Sequence, residues 1–159
     1  MQKTKSTKLL RKKSVKKPGT GGHIDLDWGL ICALGALGAV RPLIHDLPTF
    51  ADAQLLQGVV AVSIFGIILA APILFKVKRP LATLVLAGGV YGVLSIVVHQ
   101  LLWTTVFPEG YPLTPDAAYQ PPEVLVRILA SIATLVTSLL TGFVLGCLAT
   151  LISKFTYNK

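Results

Sequence analysis

Three basic residues stand near the same predicted depth of three different apolar segments. These are Arg41, His99 and Arg127, with His45 and Glu123 close to them along the chain. An ionisable group inside hydrocarbon costs about 3 kcal/mol or more, so a function is a fair hypothesis, and three convergent cations would form an outward-facing anion pocket. The alternative is structural. Arg41 and Arg127 lie near enough to the headgroups to snorkel, and Glu123 is spaced to pair with Arg127 one helical turn away.

Other reactive side chains do not complete a catalytic or metal site. Ser95 and His99 are one helical turn apart, as a nucleophile and its base could be, but no third group orients them and no oxyanion donor is evident. A His99 that bonds to a neighbouring helix is therefore favoured. His45 and Asp46 offer two ligands, which is too few for a metal ion. The sequence predicts no metal and no cofactor.

The two cysteines, Cys32 and Cys147, lie inside apolar segments without CxxC spacing. This context favours buried, unreactive thiols and counts against a membrane thiol oxidoreductase. Both cysteines are expected at a similar depth in the inner leaflet. If the first and last spans are neighbours, an oxidant should crosslink them.

Small residues recur at four-residue spacing in three of the apolar segments. In lipid, such spacing lets helix backbones approach closely, which predicts helix-packing seams. Packing within one bundle is favoured, and an interface with a second copy or a partner is the alternative. The residues are Gly88 and Gly92 in the third segment, Gly142 and Gly146 in the fourth, with Ser138 and Thr150 continuing that series, and Gly66 and Ala70 in the second.

These residues need long apolar helices to position them, and the composition supplies those helices. Of the 159 residues, 53% are apolar and only 14% are charged, and the mean hydropathy is +0.70, values outside soluble usage. The segments are apolar around their whole circumference, which excludes a soluble bundle, and no alternating pattern indicates a β-barrel. We predict an all-α integral membrane protein with a four-helix transmembrane domain over residues 25–153. The predicted spans are about 28–46, 55–75, 80–103 and 124–152.

The distribution of basic residues predicts the orientation. Thirteen of the fifteen Lys and Arg fall on one side of a four-span arrangement, and that side is the cytoplasm by the positive-inside rule. Both termini are therefore expected in the cytoplasm. Trp28 and Trp103 are expected at the two membrane interfaces, where amphipathic rings are favoured.

The segments outside the spans differ in composition. Residues 1–24 form a basic tail with eight Lys or Arg in its first seventeen positions, which predicts disorder and binding to anionic lipid headgroups, not to nucleic acid. The leader lacks small cleavage-site residues after its apolar run, so we expect it to be retained. The outer loop, 104–122, is rich in Pro and cannot be helical, and residues 154–159 form a short cytoplasmic end.

Function is less determined than architecture. The leading hypothesis is a non-enzymatic accessory or assembly component whose tail binds lipid or a partner. The alternative is a small oligomeric transporter or channel subunit with the basic level as its anion site, and the third is a lipid-acting intramembrane enzyme. A carboxylate-coupled carrier is disfavoured because no Asp, Glu or Lys lies near the middle of a span. Compact loops and few cysteines favour a bacterial plasma membrane.

Overall fold

The structure is a computed structural model that describes residues 26–46, 53–107 and 121–157. The described residues form four helices and contain no strand, so the all-α prediction is confirmed. The predicted tail and residues 108–120 of the outer loop lie outside the described residues. The helices are α1 (Trp28–Asp46), α2 (Gln54–Leu74), α3 (Pro80–Val106) and α4 (Glu123–Tyr157).

Three of the four helices are long and apolar enough to cross a membrane. They are Gln54–Leu74, Pro80–Val106 and Glu123–Thr156, each with a mean hydropathy of 2.2 over its best window. The apolar part of α1, Trp28–Ile44, is shorter. At about 1.5 Å per residue it extends for roughly 26 Å, against roughly 30 Å for a hydrocarbon core.

The helices α3 and α4 extend beyond the predicted spans. We expected the third span to end near residue 103 and the fourth near 152, but α3 continues to Val106 and α4 to Tyr157. Hydropathy marks the edge of the apolar core, whereas a helix stops only where its backbone bonds are interrupted. Neither extension contains a Pro or Gly, so neither has a residue that would end it.

Local side chains and turns set two of the helix boundaries. Asp27 caps α1, since its Oδ1 accepts a hydrogen bond from the Leu30 amide at 3.1 Å. After α2 the chain reverses through Lys76, whose φ of 50° is left-handed. The Lys76 amide donates to the Ile73 carbonyl at 3.1 Å, and the Val77 amide donates to the Pro72 carbonyl at 2.9 Å. This is a Schellman ending with lysine where glycine is usual.

The helices form a ring in the order α1, α3, α4, α2. The most extensive contacts join α3 to α4 and α1 to α3, while α2 touches α1 and α4 less extensively. This makes α1 and α4 diagonal, so the adjacency on which a Cys32–Cys147 crosslink depends is not seen. The ring buries a core of mainly small and aliphatic side chains: Ile31, Leu34, Ile64, Ile68, Ala71, Leu84, Ala87 and Ala149.

The centre of the ring is closed at mid-height. A cavity there is lined by side chains of all four helices, and its volume is about 20 Å³. That is room for about one water molecule. The described part of a single protomer therefore has no conduit at this level.

Candidate functional site

The closest helix contact lies between α3 and α4. A Cβ built on Gly88 would stand 2.6 Å from the Ser138 carbonyl oxygen and 3.2 Å from the Gly142 Cα. A Cβ on Gly142 would overlap the Leu84 carbonyl oxygen. Both obstacles are backbone atoms, which cannot rotate away, so only glycine fits at these two positions.

The contact between α3 and α4 continues above and below this pair. A Cβ on Gly92 would lie 3.0 Å from the Ser138 Cβ, and one on Gly146 would lie 2.9 Å from the Leu81 Cα. Residue numbers on α4 fall as those on α3 rise, so the two helices run antiparallel. The four glycines predicted for packing in the third and fourth segments thus lie on one seam.

At the end of the bundle where α3 finishes and α4 begins, Arg127 joins the two helices. Its Nε and Nη2 donate to Glu123 Oε1 at 2.9 and 2.7 Å, and its Nη1 donates to Gln100 Oε1 at 3.4 Å. Gln100 in turn donates to Ser131 Oγ at 3.1 Å. Together with Trp103, these residues form what we call the α3–α4 clamp. Glu123 neutralises the arginine, as its i,i+4 spacing allows.

Trp103 occupies a different position from the expected one. Its side chain is only 4% exposed, and the Arg127 guanidinium carbon lies 5.0 Å from its ring centroid. The ring of Phe107 packs on it with centroids 5.1 Å apart. Trp103 thus faces protein and provides a π surface that stabilises the half-buried Arg127 cation.

Arg41 lies in a separate place. It is exposed at the end of α1 and lines a cavity of about 250 Å³ with Gln54 and Gln57 of α2. The residues that line this cavity include neither His99 nor Arg127. His99 is half-buried on α3 beside Gln100, and the side chain of His45 lies outside the described residues. The described contacts place Arg41 beside α2 and Arg127 beside α3, and a pocket shared by the three basic residues stays a prediction.

The reactive residues do not form a catalytic group in the part of the chain that the structure describes. Ser95 is 1% exposed and its Oγ has no hydrogen-bond partner, so His99 is not bonded to it as a base. Cys32 is exposed and Cys147 half-buried, and both are free thiols. Among the described side chains, no three His, Cys, Asp or Glu approach as metal ligands.

The outward side of α2 is different in kind. Leu55, Val59, Val62 and Gly66 follow one stripe of the helix, and we call this stripe the α2 face. Leu55 is 84% exposed and Val62 74% exposed. Among the described residues, no atom outside the local helix lies within 4 Å of a Cβ built on Gly66, nor of one on Gly58. Neither of these two glycines of α2 is therefore in close contact with another described helix.

Several residues of these surfaces were not singled out from the sequence. Gly35 and Gly38 of α1 pack on α3, against Val90 and Tyr91 respectively. Their three-residue spacing on an apolar helix was an available signal. No comparable signal marked Trp103 as the partner of Arg127, because that contact spans two helices.

Comparison with known proteins finds no family model, no curated protein and no solved structure that matches this chain. What the protein does must therefore follow from its own geometry.

Proposed function

We propose that this chain is a four-span membrane protein that acts as an accessory or assembly component, and that the α2 face binds a transmembrane helix of its partner. The protein is not an enzyme in this proposal. Its basic tail serves as a second attachment, to anionic lipid headgroups. The partner is either another membrane protein or a second copy of the chain.

The observation that carries the proposal is the open space at Gly66. In lipid there is no hydrophobic force between helices, so association depends on close backbone contact at small residues. A glycine that faces only acyl chains has no Cβ with which to contact them, and mid-helix glycine is a poor helix former. Gly66, at the end of the exposed α2 face, is therefore well placed for close contact with a second helix.

The outward side of α4 provides the contrast. It is also apolar and exposed, but it is covered by large side chains such as Ile132, Leu140 and Phe143. Both glycines of α4, Gly142 and Gly146, pack against α3. Bulky aliphatic side chains suit acyl chains, so α4 is the lipid-facing side and α2 the partner-facing side.

The crossing of α1 and the orientation belong to the same proposal. Four spans bring thirteen of the fifteen basic residues to one side of the membrane, which favours both termini in the cytoplasm. The membrane of this proposal is a bacterial plasma membrane. Cysteines at Thr20 and Lys159, in a chain without Cys32 and Cys147, should resist a membrane-impermeant thiol reagent in intact cells. A cysteine at Asp116 should react. Labelling at Thr20 without lysis would contradict this orientation.

The α2 face is tested with a photo-crosslinking amino acid placed at Val62 of the full chain in native membranes. We expect a discrete protein adduct from Val62, and only lipid adducts from the same probe at Ile132 of α4. Gly66→Leu should abolish the Val62 adduct, because its side chain fills the space that the partner backbone needs. Gly66→Ala should reduce it less.

The adduct mass distinguishes the two kinds of partner. An adduct of twice the chain mass indicates a second copy, and any other discrete mass indicates a different protein. Lipid adducts alone at Val62, or a protein adduct that Gly66→Leu leaves unchanged, would contradict the proposal.

A second candidate function rests on the cavity beside Arg41. An arginine and two glutamines lining about 250 Å³ could hold a small anion, as a subunit of an oligomeric transporter would require. In this reading a permeant anion should raise the unfolding temperature of the purified protein, and Arg41→Gln should remove the effect. Equal protection in both forms would contradict the reading.

A further inference from the structure

The cavity beside Arg41 lies between the last turns of α1 and the first turns of α2. Arg41 and Ile44 of α1 line one side, and Gln54, Gln57 and Gly58 are among the α2 residues that line the other. Its volume is about 250 Å³. We call it the Arg41 cavity. Pockets that hold drug-sized molecules begin at roughly 300 Å³, so the Arg41 cavity suits a smaller molecule.

The lining of the Arg41 cavity carries one formal charge. Arg41 is the ionisable residue among the described residues that line it, and none of them is acidic. Gln57 is engaged in an interaction of its own, so Arg41 and Gln54 are the two polar side chains that we assign to a ligand. A guanidinium can donate to two acceptor atoms in one plane, and the Gln54 amide adds a neutral donor. This lining matches a ligand with one negative charge.

The start of α2 adds to the preference for an anion. Gln54 is the first residue of α2 and lines the cavity. Ala53, the residue before it, makes no side-chain capping bond, and the first turn of α2 contains no acidic residue. The first amides of a helix have no partner within the helix, and the helix dipole is positive at this end. The positive end of α2 thus borders the same cavity as Arg41.

The rest of the lining is apolar and leaves room for a short hydrocarbon group. Ile44, Val60 and Ala61 provide aliphatic surface. Gly58 also lines the cavity, and no described atom outside the local helix lies within 4 Å of a Cβ built on it. We therefore expect a larger side chain at Gly58 to reduce the space for a ligand.

We propose that the Arg41 cavity binds a small organic carboxylate, a monoanion with a short apolar group. The carboxylate pairs with the Arg41 guanidinium and accepts a hydrogen bond from the Gln54 amide, while the hydrocarbon part lies against Ile44 and Val60. This rests on the second candidate function, which requires an anion site at Arg41, and it names the class of anion. It is independent of the α2 face, with which the Arg41 cavity shares no residue.

An organic carboxylate fits the Arg41 cavity better than an inorganic anion does. Chloride or phosphate would pair with Arg41 but would leave the aliphatic walls and much of the volume to water, which takes about 30 Å³ per molecule. A phosphate group also carries about −1.5 to −2 charges at pH 7, more than one arginine neutralises. A carboxylate carries a single charge at that pH.

The test uses the full chain in a neutral detergent at constant ionic strength, with thermal unfolding followed as the probe is added. Isobutyrate is the probe, and isobutyramide, which has the same shape without the charge, is its neutral counterpart. Isobutyrate should raise the midpoint by about 2 °C or more near saturation. Isobutyramide, chloride and phosphate should raise it much less.

Two substitutions locate the binding of isobutyrate. Arg41→Gln should weaken it about tenfold or more, because the charge-assisted hydrogen bonds are lost. The matched control is Arg79→Gln, which removes an exposed arginine outside the cavity and should keep the full response. Gly58→Val should remove the advantage of isobutyrate over the shorter acetate. It tests the cavity independently if Arg41→Gln does not fold.

Three results would overturn binding of a carboxylate in the Arg41 cavity. Equal protection by isobutyrate and isobutyramide would indicate apolar filling only. Equal losses in the two arginine variants would indicate a general charge effect of the whole protein. An unchanged preference for isobutyrate over acetate in Gly58→Val would indicate a ligand outside the cavity.

Two further results separate this inference from the second candidate function. Equal protection by phosphate and isobutyrate, lost in both cases on Arg41→Gln, would overturn the carboxylate class and leave an anion site at Arg41 standing. No protection by any of the anions would overturn both. Neither result bears on the photo-adduct at Val62, so the α2 face is tested separately.

Discussion

The glycines on the α3–α4 seam and the glycine on the α2 face share a spacing pattern and have opposite surroundings. Gly88 and Gly142 stand backbone to backbone, whereas Gly66 faces open space in the described structure. Four-residue spacing of small residues therefore specifies that a helix can be approached closely. It does not specify whether the approaching helix belongs to the same chain.

The largest expected effect separates these two regions directly. Gly142→Val should lower the free energy of unfolding by about 3 kcal/mol, the upper end of the usual overpacking cost, because its new atoms meet the Leu84 carbonyl and the backbone must move. Gly66→Val should change it by less than about 0.5 kcal/mol, as for other exposed positions. Denaturant unfolding in detergent, followed by tryptophan fluorescence, measures both.

Similar losses in the two valine variants would break the comparison. They would mean that Gly66 already contacts something inside the protomer. Similar tolerance would mean that α3 and α4 can separate without cost, which the backbone contacts do not allow.

The second prediction compares the two arginines. Arg127→Gln should cost about 1–2 kcal/mol, since it removes the ion pair with a half-exposed Glu123 and the stacking on Trp103. Arg41→Gln should cost close to nothing, because Arg41 has no such partners within the described residues. Thermal unfolding of both variants in one detergent measures the difference. Equal costs would show that the clamp does not hold α3 to α4.

How far each of these features follows from the sequence can be stated residue by residue. The apolar runs predict the helices, and the i,i+4 spacing of Glu123 and Arg127 predicts their pairing, because both are properties of one helix. Whether Arg41 and Arg127 share a pocket depends on which way their two helices are rotated, which the sequence does not give. Sequence position gives a residue's depth along its helix, but the rotation of that helix about its axis depends on its neighbours.

Trp103 illustrates the same limit. Its position near the end of an apolar run predicts an interfacial anchor, whereas its ring is buried against protein. Its direction is set by α4, which packs against the same side of α3 at Gly88 and Gly92. The seam therefore turns Trp103 towards Arg127, and this could be known only from the contact between the two helices.

The third prediction concerns a contact of intermediate tightness. A Cβ on Gly38 would lie 3.1 Å from two ring atoms of Tyr91, which is a side chain that can shift. Gly38→Ala should therefore cost about 1 kcal/mol, less than a substitution that meets backbone. Gly58→Ala, with nothing within 4 Å in the described structure, is the control and should be neutral. A loss as large as that of Gly142→Val would indicate a rigid α1–α3 contact.

The smallest expected effect has the opposite sign. Lys76→Gly should raise the free energy of unfolding by about 0.5–1 kcal/mol, because glycine adopts the left-handed turn without strain. Lys78→Gly should give no such gain. Denaturant unfolding measures the free energy of unfolding of both variants, provided that its dependence on denaturant concentration stays the same as in the unsubstituted protein. A lower free energy of unfolding for Lys76→Gly would contradict this prediction. It would mean that contacts of the lysine side chain stabilise the protein by more than the left-handed backbone of Lys76 destabilises it.

The unequal helix lengths have a consequence for the surrounding bilayer. The apolar part of α1 reaches roughly 26 Å, whereas the predicted apolar run of α4, 124–152, reaches about 44 Å. Because α1 and α4 are diagonal in the ring, the proposed four-span arrangement would match short acyl chains on one flank of the protein and long ones on the opposite flank. A bilayer of uniform thickness must deform elastically around such a wedge, at a fraction of a kcal/mol for each ångström of mismatch. The protein should therefore collect at boundaries between thin and thick regions of a membrane.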